Sequence, residues 1–198
     1  TIRSHAVQAL FATSQLTHFN TVLSMFKTCD DSIEFEGYEK AFTRLKGNNE
    51  QEDIVCNALI PLVKNSRDNM RMSIYSILSK FGRPSDLEFL KQQLYNSDTR
   101  KSLMALNAIA QSDDTKSTVT ILDFMKFHEG TLISFDAAEI AIKRIPLMID
   151  EKGKFIEPAI VDFISEILNI VNHKKLILLL GNIVSLESIQ CLNKCLNS

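Results

Sequence analysis

Residues 98 to 109 carry the clearest alternation in the chain. Asp98 precedes a stretch whose apolar positions 103, 105, 106, 108 and 109 fall on one broad helical stripe. The same twelve-residue frame recurs, with its last apolar residue at Leu10, Phe42, Leu78, Ile109 and Ile142, in steps of 32, 36, 31 and 33, and a looser copy follows after a step near 40. A period of this size, made only of helical pattern, predicts an all-α fold. The architecture expected is an α-α superhelix, an α-solenoid in which each helix pair covers the apolar face its neighbour cannot bury alone.

Between the frames lie partner helices. Ile2 to Leu10 reads as a second helix, and Leu16, Phe19, Val22, Leu23 and Phe26 as the first helix of the following pair. Asp31, with Glu34 in a capping-box position, starts the next second helix, which runs to about Leu45 before Gly47. The polar cluster from Gly47 to Glu52 reads as a loop. Ile54, Val55, Ala58, Leu59, Leu62 and Val63 then give an amphipathic helix that Pro61 should kink or break, because proline lacks a donor and clashes with the preceding turn. A helix from Asp68 to Phe81 is closed by Gly82, and Pro84 with the Ser85-x-x-Glu88 box starts one carrying Leu87, Leu90 and Leu94.

Asp113-Asp114 opens a helix with Val119, Ile121, Leu122 and Met125 that ends near Gly130, and Phe135 to Ile145 continues on another. An atypical insertion over 146–157 breaks the spacing. Pro158 starts a strongly apolar helix to about Val171, and Lys174 to Leu186 and Ser188 to Asn197 complete the pattern. The pattern predicts twelve helices in about six pairs of a right-handed superhelix, no strand, and a single repeat domain over residues 1–198.

Several of these features together resemble the HEAT-repeat family. An Asp at the turn within a pair is matched by Asp31 and Asp98, displaced by one residue at Asp68, and replaced by Thr131. An apolar-basic pair inside the second helix is matched by Ile2-Arg3 and Met70-Arg71, but not in the repeats ending at Phe42 and Ile142. The pair closing that helix is Ala9-Leu10, Ala41-Phe42, Ile77-Leu78, Ala108-Ile109 and Ala141-Ile142, and Pro61 falls in a first helix, another habit of the family. Armadillo and tetratricopeptide repeats are the near competitors, and a chain without Trp does not match the latter. The resemblance implies a non-catalytic scaffold whose second helices line a concave groove for a protein partner. A HEAT-like enzyme of lyase or DNA glycosylase type, and a purely structural spacer arm, are the alternatives.

Charge changes this picture little. There are 22 basic and 24 acidic residues in a chain of 198, spread evenly, so no global field draws nucleic acid or a membrane surface. The longest apolar run, Leu176 to Leu180 continuing to Val184, falls far short of the roughly 20 residues that span a bilayer. Four cysteines without a CxxC pair predict reduced thiols in a cytoplasmic protein. With no starting Met, the chain is expected to be a segment whose flanking domains are also its partners.

Candidate chemistry is sparse. His128-Glu129 is the one His-Glu pair, and it sits at a helix end, where a His favours the negative terminus. His5, His18 and His173 have no second ligand at helical spacing. Cys191 and Cys195 lie one turn apart but read as core side chains, so neither metal nor cofactor is expected. No phosphate-binding, nucleophile-elbow or zinc-protease motif occurs. Gly37 and Gly181 fall inside helices at a cost of roughly 1 kcal/mol each relative to Ala, which close helix crossings would explain.

The candidate partner groove is a basic ridge of Arg3, Arg71, Arg100, Lys101, Lys174 and Lys175, near the starts of second helices. Glu34, Glu36 and Glu39 interrupt it, and with Asp30 and Asp31 they read as a solvated acidic face, with a site for a basic partner peptide as the alternative. An interrupted ridge without Trp argues against nucleic acid, which needs a continuous cationic track and stacking side chains.

Overall fold

The computed structural model of the chain describes residues 16–112 and 116–128, with seven single positions beyond them. Among the described residues there are seven α-helices and no strand. They are α1, Phe19–Lys27, entered by the 3-10 turn Leu16–His18; α2, Ser32–Thr43; α3, Asn49–Leu59; α4, Asp68–Phe81; α5, Pro84–Leu94; α6, Thr99–Ile109; and α7, Lys116–Phe127. Ala137, Ile140 and Arg144 are helical within the helix expected over 135–145, as are Ile189, Gln190, Leu192 and Asn193 within the last. The insertion 146–157, the helices expected over 158–171 and 174–186, and the frame ends Leu10 and Ile142 lie outside the described residues.

Local chemistry explains the boundaries. Asp31 Oδ1 accepts the Ile33 N–H at 2.9 Å and Asp98 Oδ1 accepts that of Arg100 at 3.0 Å, so the turn Asp residues cap α2 and α6. Gly82 adopts the left-handed conformation, φ +69°, and its N–H returns to the Leu78 carbonyl at 3.0 Å, closing α4. At Pro61 the α-helix gives way. Helix α3 stops at Leu59 and a 3-10 segment, Ile60–Asn65, carries the chain onward.

Two boundaries differ from the sequence reading. The polar cluster at 47–52 is not all loop, because Asn48 caps α3 by accepting the Gln51 N–H at 3.2 Å and Glu50 and Glu52 favour the helix start. Glu52 is buried and accepts the Gly47 N–H at 2.7 Å. Ser85 does not cap α5, since Pro84 already occupies its first turn. The α3 stripe is also rotated slightly, with Ile54 37% exposed and Cys56 fully buried.

The backbone divides into compact units of residues 1–113 and 114–198. In the first unit, α4 packs against α2 on one side and α6 on another, while α5 packs on α4 and α6, and α1 and α3 lie on their own partners α2 and α4. Surrounded in this way, α4 is buried at every position from Ser73 to Ser79. Serines at 73, 76 and 79 keep its flanks small. Ser79 Oγ donates to the Ala108 carbonyl of α6, and Ser76 Oγ donates to Glu39 of α2 at 2.7 Å. The frame ends Phe42, Leu78 and Ile109 are all core. Beside them Phe26 of α1 stands edge-on to Phe35, Tyr38 and Phe42 at 5.5 to 5.6 Å, which ties α1 to α2.

In the second unit, Ile121, Leu122, Phe124 and Met125 form the buried stripe of α7. Buried Arg144 donates to Ser117 Oγ at 2.6 Å and Thr118 Oγ1 at 3.1 Å at the start of that helix. No helix among the described residues is long and apolar enough to cross a membrane.

Candidate functional site

The outward side of the second helices follows from the frame. Steps of 36 and 31 residues set Ile33, Asn69 and Arg100 at equivalent positions on α2, α4 and α6, and one turn later Glu36, Met72 and Leu103. Ile33 is 76% exposed and Met72 50%, although both sit in well-packed helices. Leu103 is half-buried, and Glu36 is exposed in an ion pair with Lys40 at 2.6 Å that holds its carboxyl below the usual range. The result is a face with apolar positions on each of three neighbouring helices and charges between them.

The cations expected on this face behave differently from one another. Arg3, Lys174 and Lys175 lie outside the described residues. Arg71 is only 5% exposed; it donates to Asp68 at 2.8 Å and to the carbonyls of Ser66 at 2.7 Å and Val63 at 3.4 Å. It is a strut joining the 3-10 segment to α4. Arg100 is exposed, with its guanidinium 3.7 Å from Asp68, and Lys101 lies 3.6 Å from Asp98.

The acidic residues also separate, and do not form one solvated face. Glu34 turns inward, where it accepts from the Cys29 thiol at 3.7 Å, and burial raises that thiol's pKa. Glu39 joins two helices by accepting from Ser76 and from Lys80 at 3.0 Å. Asp30 pairs with Arg67 across neighbouring turns, beside a cleft of about 290 Å3. Among the described residues no three metal-ligating side chains cluster. His128 ends α7 packed on the rings of Phe124 and Phe127, at 4.4 and 5.0 Å. Glu129, His5, His173, Gly181, Cys191 and Cys195 fall outside the description.

No family model, characterised protein or solved structure matches this chain.

Two features escaped the sequence reading. One is a buried polar node between first helices, in which Arg83 grips the fully buried Asp86 and reaches Asp53 of α3, and Asp86 Oδ2 accepts both from Arg83 Nε and, at 3.4 Å, from the Cys56 thiol. Burial and the adjacent carboxylate push that thiol far above its ordinary pKa, which makes it inert. The sequence signal was Arg83-x-x-Asp86 at a helix start, a spacing that lets the two side chains meet. The other is a cleft of about 530 Å3 between the 3-10 segment, α5 and the first turn of α6, into which both Arg71 and Lys101 reach.

Proposed function

We propose that the chain is a HEAT-like α-solenoid and a non-catalytic scaffold, binding a protein partner along the outward face of its second helices. The observation that carries this reading is the flanking of α4 by α2 and α6 at equivalent frame positions, with Met72 and Ile33 left exposed beside a buried core. Exposed Ile33 and Met72, one turn apart in the frame on adjoining helices, supply apolar contact area of the kind that the core of a docking patch uses. The sequence frame that supports this reading corresponds to about six helix pairs of a right-handed superhelix. Buried, unpaired Cys29 and Cys56 support a reducing, cytoplasmic setting.

The test is a pull-down from native extract comparing the parent chain with Met72→Asp and Arg100→Glu. Both positions are exposed, so folding should survive. Loss of the same bound proteins in both variants is the expected result, and an unchanged set in both places the binding elsewhere.

A further inference from the structure

The larger cleft has a one-sided chemistry. Its three ionisable residues, Lys64, Arg71 and Lys101, are all cationic, and its apolar wall includes Pro61 and Phe89. That wall is fixed in advance. Phe89 stands edge-on to Tyr75 at 6.3 Å, and the Tyr75 O–H donates to Gln93, another lining residue, at 3.2 Å. Asp68, shared with Arg100, offsets Arg71, and Asp98 offsets Lys101, while among the described residues no carboxylate forms an ion pair with Lys64, so three lining cations face two carboxylates. The Lys101 contact, at 3.6 Å and partly exposed, is loose enough for a better carboxylate to replace it.

We propose that this cleft binds an acidic, partly apolar segment of another protein, its carboxylates pairing with Lys64 and Lys101 and a Leu- or Phe-sized side chain lying against Pro61 and Phe89. Arg71, engaged internally, supplies positive potential from within. A phosphate backbone fits less well, since it needs a longer cationic track and leaves the apolar wall uncovered. The site uses only α3 to α6 and their turns, and it stands whether or not the face around Met72 binds anything.

The experiment is fluorescence anisotropy on the full chain with two pools of short labelled peptides, one drawn from Asp, Glu, Leu and Phe, the other with Lys and Arg replacing the acids. The acidic pool should bind saturably and roughly tenfold or more tighter than the basic pool. The Lys64→Glu/Lys101→Glu variant should weaken that binding by roughly tenfold or more, while Lys46→Glu, outside the cleft, should bind like the parent. If the reversal prevents folding, as read by circular dichroism, Lys64→Gln/Lys101→Gln takes its place with the same expectation of weakened binding. Equal binding of the two pools, undiminished binding by the cleft variant, or a single-stranded oligonucleotide that binds more tightly than the acidic pool would overturn the proposal.

Discussion

Arg83 holds Asp86 by two parallel hydrogen bonds, Nε to Oδ2 and Nη2 to Oδ1, each 2.7 Å, with the carboxylate fully buried. Such a fork both neutralises the buried charge and fixes its direction. Arg83→Met leaves that charge unpaired and should cost about 3 to 5 kcal/mol in a urea titration. Arg83→Met/Asp86→Leu should recover most of the loss, because removing both partners removes the unpaired charge. Asp53, the third member, is mostly exposed, and Asp53→Asn should cost no more than about 1 kcal/mol.

Arg71 and Arg100 share Asp68 yet differ in burial, 7% against 81% side-chain exposure. Arg71→Met strands the Ser66 and Val63 carbonyls and should destabilise by about 2 to 4 kcal/mol. Arg100→Met should stay within about 0.5 kcal/mol of the parent. Matching losses on denaturant titration would refute the strut.

The frame ends are the core positions to truncate. Leu78→Ala and Ile109→Ala should each cost about 2 to 5 kcal/mol, by lost burial plus the cavity left behind. Ile33→Ser, at 76% exposure, should change stability by less than about 0.5 kcal/mol. A loss below that level at Leu78 or Ile109 would remove them from the core.

Burial pushes the Tyr75 hydroxyl up to about 12, only partly opposed by Arg71. The folded pKa lies above the unfolded value near 10, so the stabilisation is complete below pH of about 10 and is lost as pH rises toward 12. Tyr75→Phe should therefore lose about 1 kcal/mol at neutral pH, from its bond to Gln93, but decline less steeply between about pH 10 and 12. Equal slopes for the two proteins would rule this group out as a source of alkaline sensitivity.

What the sequence made legible was whatever local rules control. Gly82 closes α4, Pro61 ends α3, and Asp31 and Asp98 cap their helices, because each residue acts on its own backbone. Rotation of a helix about its axis was less legible. In α3 the pattern favoured Ile54 over Cys56, but the buried node with Asp86 draws Cys56 inward, and that partner lies 30 residues away. The site suffered for the same reason. Position in a helix identified Arg71 as basic and near a turn, but only its contacts with Ser66 and Val63 turn it into a strut. The cleft was invisible because its walls come from four separated stretches, the 3-10 segment, α4, α5 with its following turn, and α6.

The proposed solenoid requires its second helices to lie in a row, each touching only its neighbours. Pulsed electron paramagnetic resonance between spin-label amino acids at Ile33 and Arg100, on α2 and α6, tests it most directly. With neighbours packed at about 10 Å, the row predicts a separation of about 20 Å, roughly twice that between labels at Ile33 and Asn69. A separation no longer than the Ile33 to Asn69 distance would mean that α2 and α6 meet in a closed bundle and would rule the solenoid out.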